Sequence, residues 1–531
     1  MPQGSQFIDG REYVYDYVSV WNKEKQRSEQ KREYIGRIIN GEFVPNKKQL
    51  LRQELAREQA EKRHGPKPAE NCKRLFAGAT HILDDIGGKT GVAKDLAICF
   101  PQIHREILSL AYYLALEPDT PLYRFSRWAQ THEHPCGRDI PSQRSSELLP
   151  LITEGCKMDF LKRQANRRSE TEYLFFDSTS IGSYSQQLKQ AKYGKNKDGD
   201  GLAQINLALL FGQKSGLPAY YRKLPGNITD VMTVEKLIAG VEYLDIKKVM
   251  LVMDRGYYSE KNLNDLMKKH YKFIIGAKIS LKFIQAQLNA ERVDFDRRER
   301  YNSETGLFIM TKTMDWDYEE VRPRSGEVVN EKRRIYVHIY YNDQHATDDK
   351  IRFNKRLDAI EDDIRSGKMT PEREKECRKY YDIHETPARG ITFTPKQDAI
   401  DKARKNFGFF VLMSNGVKDP SEALSIYRSK DMVEKAFGDL KDRLNMRRTS
   451  VSSEENLEGK IFLQFVALIY VSYVKRAMDE AGLFKNKTMQ ELFDDLDVIE
   501  KYQIPGGAAY YGEITEKQYG LYAALGIAPP T

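Results

Sequence analysis

Cysteine is scarce in this chain. Its 531 residues hold five (Cys72, Cys99, Cys136, Cys156, Cys377), with no CxxC pair and no regular spacing. That pattern argues against a disulfide framework and fits a reducing cytoplasm. Long apolar runs are also missing. The longest, at 461–474, contains Gln464 and Ser472 and is too short to cross a bilayer, so it predicts a buried helix and no membrane partner. The first residues are polar, without the apolar stretch of a signal peptide. There are no internal repeats, and GGKTG at 87–91 lacks the spacing of a nucleotide-binding loop. His132, His134 and Cys136 in THEHPC suggest zinc, but no second half of such a site follows, and Pro135 favours an unliganded loop.

Charge is abundant. Charged residues make up 31% of the chain, with a formal net charge of +8. The pI of about 8.8 permits a polyanionic partner without demanding one. Bases concentrate at 23–32 (KEKQRSEQKR), 162–168 (KRQANRR), 296–300 (DRRER) and 441–448. Any one of these runs reads as a solvated face. Their recurrence beside the motifs below raises the nucleic-acid reading.

The most informative stretch is IYRSKDMVEKAFGDLKDRL at 426–444. Read as one helix, it puts Tyr427, Lys430, Glu434, Phe437 and Lys441 on one face. Val433, Ala436, Phe437 and Leu440 form an apolar stripe, so Glu434 stands at its border among cations. Two aspartates precede it. Asp177, in EYLFFDSTSIGSY, and Asp254, in KKVMLVMDRGYYSEKNL, each close a short apolar run that reads as a buried strand. A carboxylate at such a strand end lies at the rim of a sheet, where ligands bind in α/β folds. Each carboxylate also has a purely structural reading: Asp177 capping a turn through Ser178, Asp254 holding the turn at Arg255, and Glu434 pairing with Lys430 or Lys441. Together, the three supply hard oxygen donors suited to Mg2+ or Mn2+.

These residues resemble the DDE transposases of bacterial insertion sequences, in the family-four group with a Tyr, Arg, Glu, Lys signature. Tyr427, Glu434 and Lys441 match that signature, while Lys430 stands where the arginine is expected and loses its bidentate fork. DST at 177–179 and DRGYYS at 254–259 resemble the two aspartate motifs, and GLPAYYRKLPGNITD at 216–230 resembles the segment between them. The opening of the chain is similar too. The resemblance implies Asp177, Asp254 and Glu434 as catalytic metal ligands, with two Mg2+ or Mn2+ ions per site. Tyr427, Lys430, Lys441, Arg255 and Trp316 become candidate DNA contacts. The implied reaction is nicking of double-stranded DNA at terminal inverted repeats and strand transfer into target DNA, by at least a homodimer, in the bacterial cytoplasm. A metal-dependent nuclease without strand transfer, a catalytically inactive DNA-binding derivative and a structural α/β protein are the alternatives.

The expected fold is α/β: an RNase H-like mixed-sheet core interrupted by a β-rich insertion, with N-terminal β and helical regions and a helical C-terminus. The expected boundaries are 1–70, strands and a charged helix ended by GPKP, with DNA binding as a possible role; and 71–168, helical, with end recognition as a possible role. There, apolar spacing breaks at Gly87 and Gly88, as in a helix-turn-helix or, preferably, a packed pair. The core follows at 169–284, the insertion at 285–405, and the core resumes at 406–480 with the glutamate helix. Residues 481–531 form a further helix and, from 505, a Gly-, Ala- and Tyr-rich tail that reads as flexible or partner-binding.

Overall fold

The computed structural model describes residues 2–22, 27–61, 72–167, 172–194, 199, 201–246, 249–322, 326–367, 371–386, 390–504 and 507–531. GPKP at 65–68, the boundary expected at 168–169, residues 23–26 of the first basic run and Arg168 of the second lie outside the described residues. The chain divides into two units: Met1–Arg74 with Tyr502–Tyr510, and Leu75–Lys501 with Tyr511–Thr531.

In the first unit, four antiparallel strands (Gln3–Ile8, Arg11–Asn22, Arg27–Ile39, Glu42–Pro45) pair in chain order and lead into the helix Lys47–Glu61. The alternating tyrosines read as strand, and they are strand. Tyr15 and Tyr34 are cross-strand partners, meet edge-on at 5.7 Å, and Arg32 covers the Tyr15 ring at 4.6 Å.

The second unit is built on a ten-stranded mixed sheet. Its order is Tyr301–Asn302, Leu307–Val321, Val328–Tyr341, Phe409–Ser414, Lys272–Ala277, Met250–Met253, Leu174–Ser183, Ala203–Gly212 and Pro218–Pro225, with Arg448–Thr449 also paired to Leu174–Ser183. The Leu174–Ser183 strand runs antiparallel to Ala203–Gly212 and parallel to Met250–Met253, which is itself parallel to Lys272–Ala277. Nine of its ten residues are buried, as a central strand covered on both faces requires. The apolar run of the Asp254 strand has the same cause: Leu251, Val252 and Met253 are fully buried.

The stretch expected to be a β-rich insertion is mixed. Its long hairpin, Leu307–Val321 with Val328–Tyr341, joins the large sheet through Phe409–Ser414. Beyond it come helices Asp343–Ser366 and Pro371–Tyr380, the hairpin Tyr381–Thr386 with Gly390–Pro395, and helix Gln397–Arg404. These pack a small core of their own around Leu357, Ile360, Ile364 and Cys377.

The apolar run at 461–474 lies inside a 27-residue helix, Glu454–Glu480. That helix is long and apolar enough to cross a membrane, but 83% of its most apolar window is buried within the protein. Helices Gly78–Thr90 and His104–Leu116 pack on it, with Tyr112 edge-on to Tyr470, and Val92–Cys99 packs on both of those helices. The break expected at Gly87 and Gly88 falls instead at Gly91, which takes φ +72° and caps the first helix. Gly87 is helical, and a Cβ there would stand 2.8 Å from the Tyr470 hydroxyl, so this glycine serves helix contact and not a turn. The tail after 505 is also ordered where described. Helix Glu516–Ala524 starts with a Thr515–Gln518 capping box, buries Leu521 and Tyr522, and ties Tyr522 Oη to the Gly78 carbonyl at 2.8 Å. Period-3.6 spacing of a few apolar residues among Gly and Ala was too short a signal to reveal it.

Both ring nitrogens of His132 meet protein partners, with Nδ1 2.9 Å from the Trp128 carbonyl. Its Nε2 lies 2.8 Å from Asp497, and its ring stacks on Trp128 at 4.7 Å. Burial alone lowers the His132 pKa, but Asp497, the Trp128 carbonyl and Glu117 outweigh it and raise the value above the usual one. A raised folded pKa gives stability that is full below the unfolded pKa of about 6.5 and fades as pH climbs through the folded value. The unfolding free-energy gap between wild type and Asp497→Asn is therefore expected to be larger at about pH 5.5 than at about pH 8.5. Urea titrations at both pH values measure it; a gap that does not change would show the pair to be electrostatically idle.

Candidate active site

Asp177 and Asp254 leave the same rung of two adjacent parallel strands. Phe176 is the register partner of Met253, so the aspartates that follow lie side by side, at a strand spacing of about 4.8 Å. The third strand extends this rung, because Ile275 partners Met253 and Gly276 therefore stands next to Asp254.

Each aspartate is held by a tyrosine and by the next backbone N–H. Asp177 Oδ1 lies 2.9 Å from Tyr257 Oη and accepts the Ser178 N–H at 2.8 Å. Asp254 Oδ1 accepts the Tyr427 O–H at 2.8 Å and the Arg255 N–H at 2.7 Å. Burial pushes the Asp254 pKa up, but these donors and the nearby cations Lys430 and Arg255 bring it below the usual carboxylate range. Burial also raises both phenols far above their ordinary values, so each stays a neutral donor.

The stretch at 426–444 is not one helix. Helix Pro420–Arg428 ends, Asp431–Gly438 begins, and a π-turn spans Asp439–Arg443. At the break, three bonds reach back only three residues: Lys430 N–H to Tyr427, Met432 N–H to Ser429, and Val433 N–H to Lys430, at 3.0–3.1 Å. Ser429 Oγ also donates to the Ser425 carbonyl. Tightening of this kind, with a serine bonding back into its own helix, bends the axis. The first helix packs on Met250–Met253, Lys272–Ala277 and Phe409–Ser414, and the second on Leu174–Ser183 and Ala203–Gly212. The kink between them thus crosses from the Asp254 side of the sheet to the Asp177 side.

Lys430 sits at that kink and is only 7% exposed. Its ammonium donates to Glu434 Oε1 at 2.6 Å, and the charges of Asp177 and Asp254 act on it as well. Burial lowers its pKa; these three carboxylates raise it further, and the net shift is upward. Glu434 itself is 55% exposed in its side chain. Among the described residues, no three acidic, histidine or cysteine side chains converge closely enough to hold a metal together. The donors nonetheless suit one: all are hard carboxylate oxygens, and the space between them already accommodates a cation, the ammonium.

The other residues singled out in the sequence lie as follows. Tyr427 faces Asp254 instead of solvent. The Arg255 side chain is exposed and makes no ion pair or hydrogen bond among the described residues. Lys441 is buried in the π-turn, whose extra residue breaks the helical phase that put it on the Glu434 face. Trp316 is on the long hairpin, its indole N–H donating to Asn264 at 2.8 Å and its ring edge-on to Phe283. Sequence reasoning missed Tyr257, Asp230 and Gly276, and saw Ser178 only as a cap for Asp177. Ser178 Oγ lies 3.0 Å from Tyr257 Oη and donates to Asp230 at 3.3 Å, so a polar chain runs from Asp230 to Asp177. The one available signal was that Tyr257 and Asp230 fall within the DRGYYS and GNITD motifs.

Gly276 has a specific task. A Cβ there would meet the Arg255 backbone nitrogen at 2.9 Å and Tyr427 Oη at 3.0 Å. Gly276→Ala is expected to push Tyr427 off Asp254 and to destabilise the protein by about 1–3 kcal/mol. Denaturant unfolding and a crystal structure of the variant check this; a change below about 0.5 kcal/mol with the Tyr427–Asp254 bond intact would refute it.

The transposase DDE domain family matches residues 168–470, a span that includes Asp177, Asp254 and Glu434. No curated protein matches the chain. Among solved structures, a piggyBac transposase synaptic complex with hairpin DNA is similar over 78% of this chain and 70% of that one. Its identity is 9% and its TM-score 0.32, a likeness that carries no weight for the site. The family match covers more than half of the chain, and the two aspartates and the glutamate fall within it: the protein belongs to the transposase DDE domain family.

Proposed function

We propose that this transposase cuts double-stranded DNA at the terminal inverted repeats of a bacterial insertion sequence of the family-four group, and joins the cut ends to target DNA. One observation carries the reading: Asp177 and Asp254 leave one rung of adjacent parallel strands, and the Lys430–Glu434 turn faces them. An RNase H-like core is the fold this implies. Its support is the strand order, in which three antiparallel strands are followed by two that lie parallel to the first on its other side.

In this reading Asp177, Asp254 and Glu434 hold Mg2+ or Mn2+, two ions on the family's pattern. When bound, the metal supplies a lowered pKa for the attacking water or 3′-hydroxyl and positive charge for the leaving 3′-oxygen. The chain's own residues do the rest. Tyr427 and the Arg255 N–H fix one oxygen of Asp254, and Tyr257 and the Ser178 N–H fix one oxygen of Asp177. Each carboxylate is thereby oriented before substrate arrives, which lowers the reorganisation needed at the reacting phosphate. Tyr427 is accordingly a positioning residue and not a phosphate contact. Arg255 presents an exposed guanidinium beside Asp254, suited to a backbone phosphate. Action as a homodimer in the bacterial cytoplasm belongs to the same proposal.

Strand cleavage of DNA bearing the repeats that flank the coding region tests it. Wild type is expected to cut at the repeat ends only with Mg2+ or Mn2+, and Glu434→Gln and Asp254→Asn to fall at least about a hundredfold. Equal cutting by Glu434→Gln would remove the glutamate from the site. Cutting without joining to a target would leave a nuclease.

A further inference from the structure

The structure points to a resident cation. Lys430 is buried at the kink, its ammonium 2.6 Å from Glu434 and under the charges of Asp177 and Asp254. Carboxylates within one another's field repel, and a buried ammonium that bonds one and lies under the charge of the other two relieves that repulsion. Lys430 stands at the N-cap of helix Asp431–Gly438, in the tightened turn.

We propose that Lys430 holds the carboxylate site together in the metal-free protein and competes with the divalent metal for it. Binding of metal then expels the ammonium from Glu434, so that a divalent ion enters the space as one positive charge leaves it. The protein keeps its acidic site folded without metal, at the cost of weaker metal affinity. This inference rests on the reading of Asp177, Asp254 and Glu434 as metal ligands.

The test uses the full chain without DNA. Mn2+ binding is followed by the paramagnetic resonance signal of the free ion. Lys430→Gln is expected to bind Mn2+ at least about tenfold more tightly than wild type, and Lys430→Arg, which keeps the charge, to stay within about threefold. Equal or weaker binding by Lys430→Gln overturns the proposal. A second measurement needs no variant: acylation of lysine amines read by mass spectrometry. Lys430 is expected to react slowly in metal-free wild type and faster with Mg2+; an unchanged or slower rate overturns displacement. Asp254→Asn separates the two layers of argument. If it binds Mn2+ as wild type does, the metal-ligand reading itself fails. If it loses Mn2+ while Lys430→Gln behaves as wild type, only the competition fails.

Discussion

The ammonium of Lys430, bonded to Glu434 and within the field of two aspartates, is the interaction on which the site depends. Carboxylates gathered at the edge of a buried sheet carry a steep electrostatic cost. Here that cost is offset from several directions. Two neutral phenols and two backbone N–H groups donate to the aspartates, and one buried cation faces all three acids. The tyrosines remain donors because burial keeps them protonated. The site is therefore arranged for negative charge before any ligand is considered.

Placement of those donors follows from a rigid sheet and a bent helix. Parallel pairing sets Asp177, Asp254 and Gly276 on one rung, and the absence of a side chain at Gly276 lets Tyr427 reach Asp254. The Glu454–Glu480 helix, buried through its apolar middle, packs against neighbouring helices. Functional geometry is thus carried by elements with little freedom to shift, while Glu434 and Arg255 face outward. Such a division suits the proposed reading, in which a long polyanion approaches from outside.

Much of the fold was legible from residues alone. The strands around Asp177 and Asp254, the helices before and after the Asp254 strand, and the buried helix at 461–474 all follow from apolar runs and periodicity, because burial on a sheet or in a core leaves that imprint. Features that depended on distant partners were not legible. The helical phase from Tyr427 to Lys441 assumed an unbroken α-helix, and neither the three-residue bonds at Ser429 nor the π-turn at Asp439 has a proline or glycine signature of the usual kind. Gly87 looked like a turn because a glycine that admits a neighbour's hydroxyl is indistinguishable, in sequence, from one that bends the chain. The tail after 505 looked loose because its burial depends on Gly78 and His81, more than four hundred residues earlier.

Two of the structural readings also hold: Asp254 caps Arg255, and Glu434 pairs with Lys430 at i, i+4. Asp177 caps no turn, because 177–179 lie inside strand Leu174–Ser183, yet it still accepts the Ser178 N–H. Local bonding and a shared site are therefore not rivals here. The sequence by itself determined which carboxylates follow apolar runs or border an apolar stripe, because those are properties of neighbours along the chain; that Asp177 lies within its strand and not at its end was not legible there. Only the tertiary structure decided that two of them share a rung, that Tyr427 and Tyr257 hold them, and that Lys430 stands in their midst. These are matters of strand register and of a helix bend, and both are set by contacts between residues far apart in the chain.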